Sequence, residues 1–354
     1  MTSLFQIIIY ILICALTIAI YKKGQKVTVK KIIFISILFT IYNMICTSFS
    51  TRTVGDRANY LYEFLGYRTT STGLTWIFNF VKMFSGNINT VFYISTFICC
   101  FLTFYSFFND SHANKPALIF LLSTDFIFFT FVALKQCYVC AIASLIFYIL
   151  FNKDGKFKYV IIVILMYIAC QFHSTGLLLL PIIIVFILYK NKKINAKLIL
   201  LVFSIMLVLL DNVLSFVVSN LAEYMPTMAN KINEYFYSTG IYTKSATAFL
   251  KGAPFYFILI IAIMNYRKYK SIENYDKLLV LTFIGAFAYF ITFISYWMYR
   301  ITALFYLPIS LLFGIIYEQE TKSKNKFLYI IICILLELFI LMRWLFLEFT
   351  TGGF

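Results

Sequence analysis

The sequence predicts an all-α polytopic integral membrane protein with about twelve transmembrane helices. Hydrophobic residues make up 62% of the 354 residues, and charged residues make up only 12%. The mean hydropathy is +0.89, which is far more apolar than a water-soluble core of this length requires. Apolar runs of helical length recur along the whole chain, and the 41 Phe and 27 Tyr residues suit lipid-facing and interfacial positions.

The individual spans follow from the apolar runs, since a membrane-crossing helix needs about 20 apolar residues. The connections between 117–133 and 136–151 and between 158–172 and 176–189 are very short, which predicts tight helical hairpins or broken helices. The first run has neither a basic start nor a small-residue cleavage site, so we interpret it as a span and not as a signal peptide. The predicted spans are 4–21, 32–49, 88–108, 117–133, 136–151, 158–172, 176–189, 198–218, 253–266, 278–297, 301–317 and 327–347.

The lysines and arginines predict the orientation in the membrane. With twelve spans, one set of alternate loops holds 20 of the 30 Lys and Arg residues, and this side is expected to be cytoplasmic. Both termini are then expected outside. The net charge of +16 therefore reflects loop lysines, and we expect no nucleic-acid partner.

The polar features fall on the predicted outer face of a single transmembrane domain, residues 1–354. The segment 50–87 carries the GDRANY motif and a short apolar stretch near 74–84, which is expected to be re-entrant or interfacial. A second long outer loop is expected at 219–251. No phosphate-binding loop of the GxxxxGK type is present, so chemistry at the outer face is expected to proceed without ATP.

Four basic residues on this face predict an anion-binding pocket. Arg52 and Arg57 lie in the GDRANY segment, and Lys135 and Arg300 each stand at the outer end of an apolar run. Arginine binds phosphate groups in a bidentate manner and stabilises a phosphate leaving group. The alternative is that Lys135 and Arg300 only anchor helices by snorkelling.

Two residues are candidates for the general base. His173 lies at the outer end of a span and can exchange protons near neutral pH, or it caps the carbonyls of a helix end. Asp56 accepts a proton from a sugar hydroxyl or forms a salt bridge with Arg57. Cys137 and Cys140 have metal-like spacing, but no second ligand pair lies nearby, so no metal site is predicted.

The order of motifs resembles the EpsG-like family of Wzy-type polysaccharide polymerases. It comprises G-D-x-x-N-Y from Gly55, a Lys135-Gln136 pair that opens a helix, F-H-S-x-x-L-L-L-L-P from Phe172 to Pro181, and Arg300 at the start of a late helix. Where the family pattern usually has Arg, this chain has Lys135, which keeps the charge but loses the bidentate fork.

The resemblance implies a GT-C-like membrane glycosyltransferase of the bacterial plasma membrane, with its active site outside and no cofactor. It would join capsular or exopolysaccharide repeat units carried on undecaprenyl pyrophosphate, which serve as donor and acceptor in the bilayer, with a chain-length regulator as a partner. The roles that it implies are pyrophosphate binding by Arg52, Arg57, Lys135 and Arg300, general base catalysis by His173 (favoured) or Asp56, and sugar contacts by Tyr60, Gln136 and Tyr242.

Two other functions fit parts of the pattern. A flippase for lipid-linked oligosaccharides also needs many spans and a basic cavity, but the two halves of the sequence show no internal repeat. A membrane O-acyltransferase also uses a histidine in the membrane, but its acyl donor site is expected to open to the cytoplasm, whereas His173 is expected outside.

Overall fold

The computed structural model describes residues 2–22, 27–49, 56–124, 126–188, 252–291 and 299–320. Every regular element within these ranges is an α-helix or a 3-10 turn, which agrees with the all-helical prediction. The chain divides into two compact units, one made of Met1–Ile187 with Ala303–Phe354, and the other made of Leu188–Thr302. The cluster of candidate residues described below lies in the first unit.

The helices of the first unit closely follow the predicted runs up to residue 108. Apolar side chains dominate α1, α2 and α5, and a helix satisfies the backbone N–H and C=O groups of such segments in an apolar environment. In chain order the helices are α1 (Thr2–Ile20), α2 (Val29–Phe49), α3 (Arg57–Leu65), α4 (Thr72–Lys82), α5 (Ile88–Phe108), α6 (Lys115–Ser123), α7 (Phe126–Val132), α8 (Leu134–Asn152), α9 (Phe157–Phe172) and α10 (Leu179–Leu188), with a 3-10 turn at Ser174–Leu178.

Four helical stretches of the described residues are long and apolar enough to cross a membrane. They are Val29–Thr47, Ile88–Phe108, Leu134–Asn152 and Arg300–Glu320. Several further apolar helices are shorter, including Ile8–Ile20 and Phe157–Phe172. The predicted spans 198–218 and 327–347 lie outside the described residues. The fold is therefore that of a multi-pass membrane protein.

The predicted span 117–133 is broken into two helices. Thr124 has an extended backbone (φ −76°, ψ 166°) that ends α6, and α7 begins two residues later. The carbonyl groups at the end of α6 would lack partners in a membrane. Two of them are satisfied by side chains: Thr124 Oγ1 donates to Leu121 O at 2.7 Å, and the Tyr10 hydroxyl of α1 donates to Leu122 O.

Helix α8 is the central helix of the first unit, and it is buried along most of its length. It packs against α5 and α9. The Tyr138 hydroxyl donates to Ser95 Oγ on α5 at 3.0 Å, and the Tyr138 ring stacks on Phe172 of α9 with a centroid distance of 4.1 Å. The N-terminal end of α8, where Lys135 and Gln136 lie, is thereby fixed between α5 and the end of α9.

Two short helices, α3 and α4, follow one another between α2 and α5. The left-handed backbone of Gly66 (φ 88°) ends α3, a conformation that glycine adopts without strain. Helix α4 has 11 residues and is about 16 Å long, too short to cross a bilayer, as predicted for the stretch near 74–84. It packs against α5 and α9.

The first unit also includes α15 (Tyr306–Glu320), which follows a 3-10 turn at Ala303–Phe305. This helix packs on α6, where the Phe313 and Phe120 rings lie 5.2 Å apart. A Cβ atom on Gly314 would lie 2.5 Å from Asn114 Oδ1, so glycine permits the close approach. Asn114 Oδ1 in turn accepts the Ala117 N–H and caps α6.

The second unit is described over residues 252–291 and 299–302. Its two longer helices pair through aromatic residues: the Tyr275 hydroxyl donates to Ala262 O at 2.8 Å, and the Phe255 and Tyr289 rings lie 4.9 Å apart. The helices are α11 (Ala253–Met264), α12 (Tyr266–Tyr269), α13 (Tyr275–Ile291) and α14 (Tyr299–Thr302).

Candidate functional site

An ion pair joins α3 to the central helix, α8. Lys135 Nζ on α8 lies 2.8 Å from Glu63 Oε1 on α3, and the second carboxylate oxygen accepts the Thr70 hydroxyl at 2.6 Å. The Lys135 and Glu63 side chains are only 22% and 10% exposed. Because both charges are largely removed from water, each depends on the other for compensation.

Arg57, the first residue of α3, is held by neutral groups. One guanidinium nitrogen donates to Asn89 Oδ1 at 2.8 Å and to Thr47 Oγ1 at 3.1 Å, and the guanidinium carbon lies 4.2 Å from the Phe92 ring centroid. Burial lowers the pKa of the Arg57 guanidinium, partly offset by Tyr93, yet an arginine stays protonated in proteins. Arg57 therefore carries a charge that these neutral partners do not cancel.

A hydrogen-bond chain behind Arg57 leads into the membrane-spanning helices. Thr47 Oγ1 donates to Asn43 Oδ1 at 3.2 Å, and Asn43 Nδ2 donates to Thr96 Oγ1 at 2.6 Å. Asn43 and Thr96 are fully buried. A buried amide that is bonded on both sides has one orientation, so the chain fixes the Thr47 oxygen that receives Arg57.

Tyr60 connects the two cations. Its ring meets the Phe92 ring edge-on at 6.0 Å, and Lys135 Nζ lies 5.6 Å from the Tyr60 centroid. Arg57 and Lys135 thus rest on neighbouring aromatic rings, which is a favourable environment for cations. Tyr60 is only 3% exposed, so a sugar can reach little of this side chain in the described conformation.

His173 lies between α9 and the following 3-10 turn and bonds to Thr175. Its Nδ1 lies 3.2 Å from the Thr175 backbone nitrogen and 3.0 Å from Thr175 Oγ1. The Thr175 hydroxyl donates to Gln136 Oε1 at 3.0 Å. Since Gln136 follows Lys135 directly in the sequence, this chain brings His173 to the same end of α8 as the ion pair. We call the connected residues the polar cluster: Arg57, Tyr60, Glu63, Lys135, Gln136, His173 and Thr175.

Close packing of α4 on α9 supports the position of His173. A Cβ atom on Gly73 would lie 2.7 to 2.9 Å from three atoms of the Phe172 ring. Phe172 also stacks on Tyr138 and immediately precedes His173. Only glycine at position 73 allows the ring to occupy this place, so the contact fixes the residue that precedes His173.

The other predicted residues are placed as follows. Asp56 is half-buried and precedes α3, and its side chain does not cap the helix. Arg300 is half-buried in α14, which belongs to the second unit and is joined to α13 by the Thr302 hydroxyl donating to Gly285 O at 3.3 Å. Arg52 and Tyr242 lie outside the described residues.

Several members of the site were missed by sequence reasoning. Glu63, Thr175 and Asn89 are not among the site residues predicted from the sequence. The signal for Glu63 was weak but present, because an acidic residue three positions after Tyr60 shares a helix face with it. The partner of each residue lies far away along the chain, and spacing alone does not reveal it.

The polar cluster is suited to binding an anion next to a histidine. Arg57 and Lys135 carry two positive charges, and Glu63 carries one negative charge, so these three side chains leave one positive charge. Within the described ranges, no group of three or more His, Cys, Asp or Glu side chains is placed to hold a metal ion.

Comparison with known proteins identifies the family. The model of the EpsG family matches residues 56–351, well over half of the 354 residues. No curated protein and no solved structure matches the chain. The matched range contains every member of the polar cluster, and it agrees with the resemblance carried by the motifs. The chain is therefore a multi-pass membrane protein of polysaccharide biosynthesis that belongs to the EpsG family.

Proposed function

We propose that this protein polymerises oligosaccharide repeat units carried on undecaprenyl pyrophosphate at the outer face of the bacterial plasma membrane. The observation that carries the proposal is the polar cluster, in which Arg57, Lys135 and His173 come together from three different helical elements of a membrane protein. A positively charged site with a histidine suits a substrate whose leaving group is a pyrophosphate. The family match supports the same class of substrate.

The proposed roles follow the charges. Arg57 binds the pyrophosphate, because its charge is held by neutral partners, and Arg52 and Arg300 are proposed to assist. Lys135 contributes once the substrate competes with Glu63. Tyr242 remains a proposed sugar contact, and the low exposure of Tyr60 and Gln136 limits each of these two side chains to an edge contact.

The reaction transfers a glycosyl group. A hydroxyl of the acceptor unit attacks the anomeric carbon of the growing chain, and the bond from that carbon to the pyrophosphate oxygen breaks. The electron pair stays on undecaprenyl pyrophosphate, where Arg57 stabilises the added charge. The hydroxyl proton passes to a general base, for which Asp56 and His173 are the two candidates. The bilayer holds both lipid-linked substrates, and a chain-length regulator is the proposed protein partner.

The test is polymer length in a strain that lacks the gene. The strain is complemented with the wild type, Arg57→Ala, Arg300→Ala or His173→Ala, and extracted polysaccharide is separated on a gel beside the lipid-linked single unit. His112→Ala is the matched control, since His112 is the only other histidine and lies between α5 and α6. We expect long chains from the wild type and the control, and single units outside the cell from the other variants.

The same experiment separates the two alternatives. If single units accumulate on the cytoplasmic side in the deletion strain, the protein is a flippase. If chain length is unchanged and only acetyl decoration is lost, it is an O-acyltransferase. Either result contradicts the polymerase function, provided that the variant proteins reach the membrane in normal amounts.

A further inference from the structure

The junction between α9 and the 3-10 turn gives His173 a structural task. His173 has an extended backbone (φ −156°, ψ 144°) and is the N-cap residue of the turn. Its Nδ1 accepts the backbone N–H of Thr175, two residues on, at 3.2 Å. An N-cap side chain accepts the N–H of the second or third residue of the helix that it begins, and Nδ1 occupies the place that a Ser or Asp oxygen usually takes.

The cap determines which ring nitrogen carries the proton. A backbone N–H points in a direction fixed by the peptide plane, whereas a hydroxyl group rotates. The Thr175 N–H points at Nδ1, so Nδ1 must offer a lone pair. The neutral imidazole then carries its proton on Nε2.

The Thr175 side chain ties the same edge of the ring to α8. Its hydroxyl proton is donated to Gln136 Oε1 at 3.0 Å, and the hydroxyl oxygen lies 3.0 Å from Nδ1. Gln136 is only 2% exposed, and its amide nitrogen lies 3.7 Å from Cys140 Sγ, which orients the amide. The Nδ1 edge is therefore held by Thr175 and Gln136, and Nε2 is the ring nitrogen that carries the proton.

We propose that His173 acts as a hydrogen-bond donor through Nε2–H to a pyrophosphate oxygen of the lipid-linked substrate, with Thr175 and Gln136 as its positioning residues. This inference rests on the proposed function and changes one role in it. A nitrogen that already carries a proton does not take one from a sugar hydroxyl. The hydrogen bond from the Thr175 N–H to Nδ1 thus both holds the ring and selects the Nε2–H tautomer, which donates a hydrogen bond and does not act as a base.

The proposal assigns each proton in the transfer step. The bond between the acceptor oxygen and the anomeric carbon forms as the bond from that carbon to the pyrophosphate oxygen breaks. The electron pair moves onto the pyrophosphate oxygen, which accepts the Nε2–H hydrogen bond and the Arg57 contact. The acceptor hydroxyl proton passes to a carboxylate, for which Asp56 is the candidate.

The tautomer is measurable without any substrate. The chain has two histidines, so the His112→Gln variant of the full-length protein, labelled with 15N-histidine and placed in nanodiscs, reports His173 alone. At a pH where the ring is neutral, we expect a protonated Nε2 and an unprotonated Nδ1. A proton on Nδ1 would overturn the proposal.

Variants of Thr175 separate the backbone bond from the hydroxyl bond. Thr175→Val keeps the backbone N–H, so we expect the Nε2–H tautomer to persist in this variant. A switch of tautomer in Thr175→Val would overturn the capping argument. Ser174→Ala changes the exposed neighbouring residue and is the control for disturbance of the turn.

Inorganic pyrophosphate tests the contact itself. Added to the labelled His112→Gln protein, it should shift the Nε2–H resonance in a saturable way, whereas sulfate at equal ionic strength should shift it much less. The Thr175→Val change should weaken this response about tenfold, and Thr175→Ser should restore it. If pyrophosphate leaves Nε2–H unchanged while the tautomer is as expected, the phosphate contact is refuted.

The two failures are distinguishable. The nuclear magnetic resonance measurement uses no sugar and no polymer, so a pyrophosphate response in a protein whose deletion leaves chain length unchanged refutes only the polymerase function. If His173→Ala abolishes long chains as expected, but the labelled protein carries the proton on Nδ1, only the donor role is refuted, and His173 remains the candidate base.

Discussion

The two ends of α3 differ in how a basic side chain is bound there: one has neutral partners and the other has a carboxylate. At its N-terminal end, Arg57 is held by an amide oxygen, a hydroxyl and an aromatic ring, all neutral. At its C-terminal end, Glu63 meets Lys135 in an ion pair at 2.8 Å. The comparison teaches that basic residues of one site need not be equivalent. We therefore propose that Arg57 binds an incoming anion directly, whereas Lys135 must first be released by Glu63.

Removal of Arg57 should have the largest effect. Arg57→Ala is expected to reduce the rate of polymer formation by about a hundredfold or more, because an interaction with the developing charge of the leaving group is lost. Arg57→Lys should recover only part of the rate, since lysine lacks the bidentate fork. Polymerisation by purified protein in vesicles measures both rates.

The control for this prediction is Lys82→Ala, which removes an exposed cation on α4 that lies near the Phe64 ring. An equal loss in both variants would mean that any positive charge on α3 or α4 suffices, and the contrast between the two ends of α3 would disappear.

Substitution of Gly73, which leaves Arg57 and Lys135 in place, should have the next largest effect. Gly73→Ala places a methyl group against the Phe172 ring and is expected to destabilise the protein by about 1–3 kcal/mol, with a roughly tenfold loss of rate because His173 moves with Phe172. Gly86→Ala is the matched control, since nothing lies within 4 Å of its added Cβ. Thermal unfolding and polymerisation rates of both variants check this.

A smaller effect of Gly73→Ala is expected on anion binding by Arg57, because the hydrogen bonds and the ring contact of Arg57 go to Thr47, Asn89 and Phe92. If Gly73→Ala weakens pyrophosphate binding as much as Arg57→Ala does, the two parts of the polar cluster are not separable.

The ion pair should reveal itself in opposite shifts of KM. Lys135→Gln is expected to raise the KM for the lipid-linked unit about tenfold, because a binding charge is lost. Glu63→Gln keeps a hydrogen-bonding group for Thr70 but frees Lys135, so it should lower KM severalfold. The double variant Glu63→Gln/Lys135→Gln should resemble Lys135→Gln.

Stability provides the cross-check on that pair. Each single substitution is expected to cost about 1–2 kcal/mol, because it leaves one largely buried charge without its partner, and the double variant should cost less than the sum. If Glu63→Gln raises KM as Lys135→Gln does, the pair serves only to hold α3 on α8.

The smallest effect is expected from Tyr60→Phe. The ring would keep its edge contact with Phe92 and its place beside Lys135, so we expect less than about a threefold change in KM. Tyr60→Ala should instead destabilise the protein by about 3–5 kcal/mol by opening a cavity. A large rise in KM for Tyr60→Phe without loss of stability would make the hydroxyl a sugar contact.

Sequence patterns predicted the helices well where the chain only has to be apolar. The predicted run 88–108 matches α5 in full, and α8 and α9 begin and end within two residues of their predicted bounds. The break inside 117–133 was not located, because its partners, Thr124 and Tyr10, satisfy the carbonyls through tertiary contacts. Hydropathy does not register such bonds.

Several members of the polar cluster were selected from the sequence by residue type, but their partners were not. Arg57, Lys135, Gln136 and His173 were all selected from the sequence, and the structure brings them together. Glu63 lies 72 residues from Lys135 along the chain, and Thr175 lies 39 residues from Gln136. Pairs at such distances depend on how α3, α8 and α9 pack, which the local pattern does not encode.

The hydrogen bonds of α1 and α2 bear on how the protein can be divided. The family match begins at Asp56, but two hydrogen bonds involve residues before it. Thr47, which is itself bonded to Asn43, accepts a hydrogen bond from Arg57. The Tyr10 hydroxyl donates to Leu122 O at the end of α6. A truncation at the family boundary would therefore leave the guanidinium without one of its two hydrogen-bond acceptors and Leu122 O without its donor. The region matched by the family model therefore depends on hydrogen bonds with residues that precede it. A chain split between α2 and α3 should regain its function only when residues 1–55 are supplied as a separate fragment.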